Sequence, residues 1–192
     1  AEAAAATEGP LMVIAGPGSG KTRMLTHRLA HIVLEQEVPS SACLAVTFTR
    51  KATEELRARL LALLGERGAG IAVESFHSLG LSILRAHGAR LGLPADFRIA
   101  SEAERRAALV SALGVTDSRA GQLLKAVSVL KRSGGQGAGE EAAARAALAE
   151  AGRAGGFLDF DDLVVRAADL LETHPDIAAL WQGRFAHVVA DE

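Results

Sequence analysis

"LMVIAGPGSGKTR", residues 11–23, is the stretch on which the fold turns. The continuous apolar run 11–15 ends in glycines, which predicts a short buried strand of a parallel sheet. From Thr22 to Glu35 the apolar residues Met24, Leu25, Leu29, Ile32 and Val33 recur at helical spacing. Between the two elements lies a near match to G-x-x-x-x-G-K-[ST], with Ala15 in place of the leading glycine. Gly16, Gly18 and Gly20 let a backbone wrap with its N–H groups inward, and Pro17 and Ser19 complete the loop. The following helix offers its positive N-terminus to phosphate. In this pattern Lys21 reaches the β- and γ-phosphates and the Thr22 hydroxyl is a ligand for Mg²⁺; Arg23, on the first helical turn, is either close to the nucleotide or simply solvated.

A phosphate loop of this kind needs an acidic partner at the end of a neighbouring strand. The stretch "RFAHVVADE", residues 184–192, supplies a candidate. Val188, Val189 and Ala190 read as a buried strand, and Asp191 and Glu192 stand at its C-terminal tip. One carboxylate can hold Mg²⁺ while a second orients or deprotonates the attacking water. A terminal acidic pair alone is commonly just solvated, so the assignment draws its force from the loop at residues 15–22.

Working outward, residues 43–48 (CLAVTF) and 71–76 (IAVESF) read as further strands. Helices are expected over 53–65, with Gly65 as C-cap, and over 77–88. Strand and helix alternate three times, the pattern of a parallel sheet with crossover helices. After about Leu91 the rhythm becomes helical. Ser101 and Glu104 have the spacing of a capping box, and two further helices are expected over 118–132 and 140–156. Residues 133–139 (SGGQGAG) read as a flexible connector. The next helix is N-capped by Asp159 or Asp161, Pro175 opens another, and residues 187–192 return to strand. The expected fold class is α/β, a P-loop NTPase sheet interrupted by an all-helical insertion.

Composition allows this. The 192 residues are 49% hydrophobic, sufficient for a core, and the net charge of −2 creates no global basic field. That counts against wrapping of extended duplex DNA and leaves local contacts open. The single cysteine, Cys43, cannot form an internal disulfide, which suits a reducing compartment. No apolar stretch approaches the ~18 residues of a membrane span. A cytoplasmic location with no membrane partner is the expectation, and the chain reads as a piece of a longer one.

Two segments suggest which local contact. In residues 44–60 Phe48 stands between Thr47 and Thr49 at a strand end and is followed by Arg50 and Lys51; in 73–85 Phe76 and His77 occupy the next strand end. Aromatic faces beside hydroxyl and basic donors suit a single-stranded nucleic acid. The plainer reading of such residues is loop packing. His27 and His31 have the i, i+4 spacing of metal ligands but lack a third ligand. The Asp159, Asp161, Asp162 cluster is more simply helix capping than a metal site. Arg105–Arg106 and Lys131–Arg132 read as solvated helix faces, with duplex DNA contact as the alternative.

Taken in order, "AGPGSGKTR", "AVTFTRKATEELRARL", "SFHSLGLSILR", "FLDFDDLVVRAADLL" and "VVADE" resemble motifs I, Ia and Ib, the re-entry segment and the start of motif II of superfamily 1 DNA helicases of the UvrD/Rep/PcrA class. The resemblance implies a RecA-like ATP-binding domain 1A made of residues 1–90 and 156–192, with residues 91–155 as the inserted subdomain 1B. It implies ATP and Mg²⁺ as cofactors, with Lys21, Asp191 and Glu192 catalytic and Thr22 and Asp191 as Mg²⁺ ligands. Phe48, Thr49, Arg50, Phe76 and His77 become the DNA-binding candidates. The implied activity is ATP-driven 3′→5′ translocation on single-stranded DNA, with unwinding at single-strand/duplex junctions and a setting in DNA repair. Domain 2 of the same parent chain is the implied partner, so this piece alone is not expected to be an efficient motor. Two departures stand out: no glutamine for reading adenine precedes the loop, and Arg50 replaces a common asparagine. Two rival readings are a P-loop phosphotransferase with a helical lid and a non-catalytic nucleotide-binding scaffold.

Overall fold

The computed structural model describes residues 9–16 and 18–191. They form two compact units: one of residues up to Phe76 together with Ala178 onward, the other His77–Ile177. The second unit therefore also takes in 77–90 and 156–177, beyond the insertion boundaries that the sequence suggests.

The first unit is built on a three-stranded parallel sheet in the order β2-β1-β5, where β1 is Cys43–Thr47, β2 is Ala72–Ser75 and β5 is His187–Asp191. All five residues of β1 are buried, as befits a strand paired on both edges and covered on both faces. Helix α1, Lys21–Leu34, precedes β1, and α2, Arg50–Leu64, with the short α3, Glu66–Ala69, carries the chain over to β2. Leu25, Leu29 and Ile32 of α1 and Leu56 and Leu60 of α2 close on Cys43, Ala45 and Val73 as one core. Burial raises the Cys43 thiol pKa, so this cysteine sits as a small apolar side chain.

One expected strand is missing. Residues 11–15 pair with nothing among the described residues and carry no strand. Met12 and Ile14 are 84% and 90% exposed. A cavity of about 690 Å³ lies between this segment and β5, lined by Leu11, Val13 and Ile14 on one side and Val188 and Ala190 on the other. An apolar run becomes a strand only through ladder hydrogen bonds to a neighbour, and across that gap there are none.

In the second unit, helices α5 (Glu102–Leu113), α6 (Asp117–Ser133) and α7 (Gly139–Gly155) share a core of Leu109, Leu123, Leu124, Val127, Ala144 and Leu148. The Ser101–Glu104 capping box opens α5 as its spacing predicts. The insertion is not wholly helical, however. Arg98–Ile99 (β3) and Phe157–Leu158 (β4) form a two-residue parallel pair, too short to leave an alternating signature in the sequence. Helix α4, Phe76–His87, packs through Gly80 onto the Leu163 carbonyl of α8, Phe160–Thr173, an approach that leaves no room for a Cβ. Helix α9, Pro175–Arg184, begins at the proline, as expected.

Asp159, rather than Asp161, caps α8, in a reciprocal capping box with Asp162. Lys131 reaches both carboxylates, at 2.8 Å to Asp159 and 2.6 Å to Asp162, and Arg105 stands 3.5 Å from Asp159. Lys131 and Arg105 are thus neither solvated nor free, and Arg106 is engaged by Glu102 and Asp117. Of the four residues expected on solvated faces, Arg132 is exposed, whereas Lys131 and Arg105 are half-buried because the buried Asp159 and half-buried Asp162 need counter-charge. Burial disfavours the Asp159 carboxylate, but Lys131, the Asp162 backbone N–H and Arg105 outweigh it and hold its pKa below the ordinary value.

A carboxyl held low in the folded state contributes stability above its unfolded pKa of about 3.9, and that contribution is lost as pH falls through the lower folded value. Lys131→Met leaves the buried Asp159 and the half-buried Asp162 short of their main partner. It should destabilise the protein by about 3–5 kcal/mol in urea unfolding followed by circular dichroism, with less effect in strong acid than at pH 7. A loss that is the same at both pH values would contradict the assignment.

Candidate functional site

The C-terminal ends of the three parallel strands lie in one row: Thr47 is in register with Asp191 on one side and with Ser75 on the other. In open parallel sheets this edge is where ligands bind, because each strand there hands over to a loop or a helix N-terminus. The loop before α1 opens onto the Asp191 end of the row. Gly18 and Gly20 have φ of 73° and 88°, left-handed values that L side chains adopt only at a cost. Ser19 holds the loop by donating from its hydroxyl to the Gly16 carbonyl at 2.7 Å. Gly20 caps α1 without a side-chain hydrogen bond, so the first-turn N–H groups of the helix keep their donor capacity.

Lys21 folds back over the loop, with Nζ donating to the carbonyls of Ala15 at 2.9 Å and Gly16 at 3.2 Å. Thr22, next along the helix, donates from Oγ1 to Oδ2 of Asp191 at 3.1 Å across 169 residues of chain. Two hard oxygen donors, a hydroxyl and a carboxylate, thus converge beside an ammonium and a helix N-terminus. That donor set fits a phosphate accompanied by Mg²⁺. Arg23 is exposed on the same first turn. Pro17 and Glu192 lie outside the described residues.

Phe48, Thr49 and Arg50 follow the end of β1. Phe48 is 65% exposed, outside the strand rather than at its last position. Thr49 is the N-cap of α2 and accepts from the Ala52 N–H at 3.1 Å. Arg50 extends into solvent and pairs with Glu54 one turn on, at 3.0 Å. Phe76 and His77 were expected at a strand tip, but they form the first turn of α4, because β2 stops at Ser75. Phe76 leaves the strand row at the Ser75 end, half-buried. His77 belongs to the helical unit, where its ring stacks on Phe160 with centroids 3.8 Å apart and an interplanar angle of 17°. Burial lowers the His77 pKa and the nearby Asp161 carboxylate opposes this.

Two features escaped the sequence reading. Phe160 is 54% exposed, although its segment reads only as a cap; the aromatic between acidic residues was the available signal. Thr47 and Thr53 are buried hydroxyls at positions where the periodicity of β1 and α2 calls for apolar side chains, and that mismatch was their signal.

With this geometry in hand, comparison with known proteins gives a consistent result. The family model described as the UvrD/REP helicase N-terminal domain matches residues 1–192. The chain is 37% identical to an ATP-dependent DNA helicase PcrA from Leuconostoc citreum, over 100% of this chain and 28% of the relative. Its identity to the proteins of the same name from Staphylococcus epidermidis and Staphylococcus aureus (strain Mu50) is 34% and 33%, with the same coverage. It therefore spans little more than a quarter of the length of these relatives.

A Cβ on Gly20 would meet nothing within 4 Å, so Gly20→Ala probes backbone conformation alone. The left-handed penalty of about 1–2 kcal/mol should weaken binding of a non-hydrolysable ATP analogue by roughly tenfold in calorimetric titration, without loss of the fold. Unchanged affinity would separate the loop's conformation from its binding.

Proposed function

Since the chain belongs to the UvrD/REP helicase N-terminal domain family, we propose that it is the ATP-binding part of an ATP-dependent DNA helicase that moves 3′→5′ on single-stranded DNA. The observation that carries this reading is the hydrogen bond from Thr22 to Asp191, which joins the phosphate-loop helix to the acidic strand end. In this reading residues 1–90 and 156–192 are a RecA-like domain 1A and residues 91–155 its inserted subdomain 1B. The residues 15–23 cradle the nucleotide phosphates, and Lys21 leaves the loop carbonyls to neutralise their charge. Thr22 and Asp191 are the residues that would hold Mg²⁺, which when bound offsets charge on the phosphate oxygens. Glu192, one position beyond Asp191, is the general base that takes a proton from the attacking water.

Phe48, Thr49, Arg50 and Phe76 leave the same strand row as Asp191 and are the proposed contacts to single-stranded DNA, with His77 a further candidate on the helical unit. Phe48 offers a face on which a base can stack, and Arg50 a cation for the phosphate backbone. The proposed partners are DNA at single-strand/duplex junctions and a second motor domain of the parent protein. Among the described residues no helix is long and apolar enough to cross a membrane. A cytoplasmic setting in DNA repair belongs to the same proposal.

In the parent protein, Lys21→Ala should reduce DNA-stimulated ATP turnover by at least about 10²-fold, the scale of losing a preorganised group that stabilises developing charge. Glu192→Gln should bind ATP normally while hydrolysis stops. Steady-state turnover and nucleotide titration on both variants test the roles. Full turnover in Glu192→Gln would remove that residue as the base, and DNA-independent turnover in the unaltered protein would favour a phosphotransferase.

A further inference from the structure

Thr47 occupies the middle of the strand row and is 1% exposed; Thr53, on the first turn of α2, is 8% exposed. Their hydroxyl oxygens are 2.7 Å apart, and either can be the donor. Both also address one carbonyl, that of Thr49: Thr47 Oγ1 at 3.2 Å and Thr53 Oγ1 at 3.0 Å. The same carbonyl accepts the Thr53 backbone N–H at 3.0 Å. Two hydroxyl protons serve three possible links, so two are made at a time. Either Thr53 donates to the Thr49 carbonyl while Thr47 donates to Thr53, or Thr47 donates to the carbonyl while Thr53 donates to Thr47. In both arrangements the turn of Phe48 and Thr49 is held from beneath, and changing between them needs only two hydroxyl rotations.

This polar knot is out of place by packing logic. The four other residues of β1 are Cys43, Leu44, Ala45 and Val46, all buried. A valine at 47 would fill nearly the same volume and carry no group that needs a partner. What the hydroxyls add is direction. One ladder of β1 sets Thr47 beside Asp191, the other sets it beside Ser75, and its side chain runs forward to the turn that exposes Phe48.

We propose that Thr47 and Thr53 are positioning residues, whose hydroxyl pair locks the Phe48–Thr49 turn to the Asp191 strand end and so couples nucleotide binding to DNA binding. The inference rests on the proposed roles of Thr22 and Asp191 in holding nucleotide and of Phe48 in holding DNA. A shift of Asp191 on nucleotide binding passes through the ladder to Thr47. From there it passes through the hydroxyl pair to the Thr49 carbonyl and the aromatic beside it. The route is a contiguous set of hydrogen bonds with two discrete arrangements, the kind of element that can carry coupling between sites.

The test uses the full-length parent protein and measures oligo-dT affinity with and without a non-hydrolysable ATP analogue. The ratio of the two is the coupling factor, which for linked sites is typically about 5–150-fold. Thr47→Val and Thr53→Val should each bring that ratio close to one while the analogue's own affinity in the absence of DNA stays the same. Thr47→Ser and Thr53→Ser, which keep the hydroxyls, should retain it. The double valine variant should be no worse than either single, since each removes the same pair. If Thr47→Val fails to fold, Thr53→Val at the helix start carries the test. Valine variants that keep the parent's ratio overturn the inference, as does a parent protein whose oligo-dT affinity ignores the analogue. Phe48→Ala separates the two levels. If it leaves oligo-dT affinity unchanged, the underlying DNA-contact reading fails; if it weakens binding while the valine variants keep their ratio, only the coupling role fails.

Discussion

The pairing of β1 with β5 is the constraint on which the site depends. These strands are separated by about 140 residues in the chain, yet residue-by-residue register sets Cys43 against His187 and Thr47 against Asp191. A slip of one residue would turn every β5 side chain to the opposite face and take Asp191 out of reach of Thr22. The hydrogen bond between those two residues is weak by itself, on the order of 1 kcal/mol. Its value lies in reporting that the register and the placement of α1 agree. Burial of the whole of β1 enforces that agreement, because a central strand with five buried residues has no alternative alignment that keeps its core.

From that register follows a row of strand ends with different chemistry along it. At one end a glycine loop, an ammonium, a hydroxyl and a carboxylate stand together, the donor set of the proposed nucleotide site. Toward the other end, the exposed Phe48 and the half-buried Phe76 leave the sheet. Neighbouring strands give the two chemistries a common rigid base, and the threonine pair sits where they meet. Charge is handled locally throughout. The chain as a whole is nearly neutral; inside the helical unit Lys131 and Arg105 pair with the capping-box carboxylates of α8, and Arg106 with the exposed carboxylates of Glu102 and Asp117.

Reading residues alone pointed to two distant segments, the glycine loop and the acidic strand end, and the fold brings Thr22 of one to Asp191 of the other. The loop at residues 15–22 and the pair Asp191–Glu192 are legible because each needs a fixed local pattern, and Thr22 and Asp191 do meet. Helix starts were equally legible where a cap is a local matter, as at Ser101 and Pro175. For Phe48 the sequence left packing and exposure both open, and the structure leaves it 65% exposed beyond the end of β1. Where several short polar residues compete for one job, sequence left the choice open: Asp159 and Asp161 are both acceptable caps, and only burial beside Lys131 selects Asp159.

Local pattern sufficed for what adjacent residues decide: the glycine loop, the helix periodicity, the caps and the α/β character of the chain. Tertiary structure decided what depends on a distant partner. Residues 11–15 have the composition of a strand, yet they join no ladder among the described residues. Arg98–Ile99 and Phe157–Leu158 have no strand signature, yet each finds the other. Lys131 reads as a surface cation and becomes a half-buried counter-ion because two capping carboxylates meet it. Thr47 and Thr53 look like ordinary β-branched residues until the fold brings their hydroxyls within 2.7 Å. Propensity is a property of neighbours along the chain, whereas hydrogen-bond satisfaction and charge compensation depend on neighbours in space.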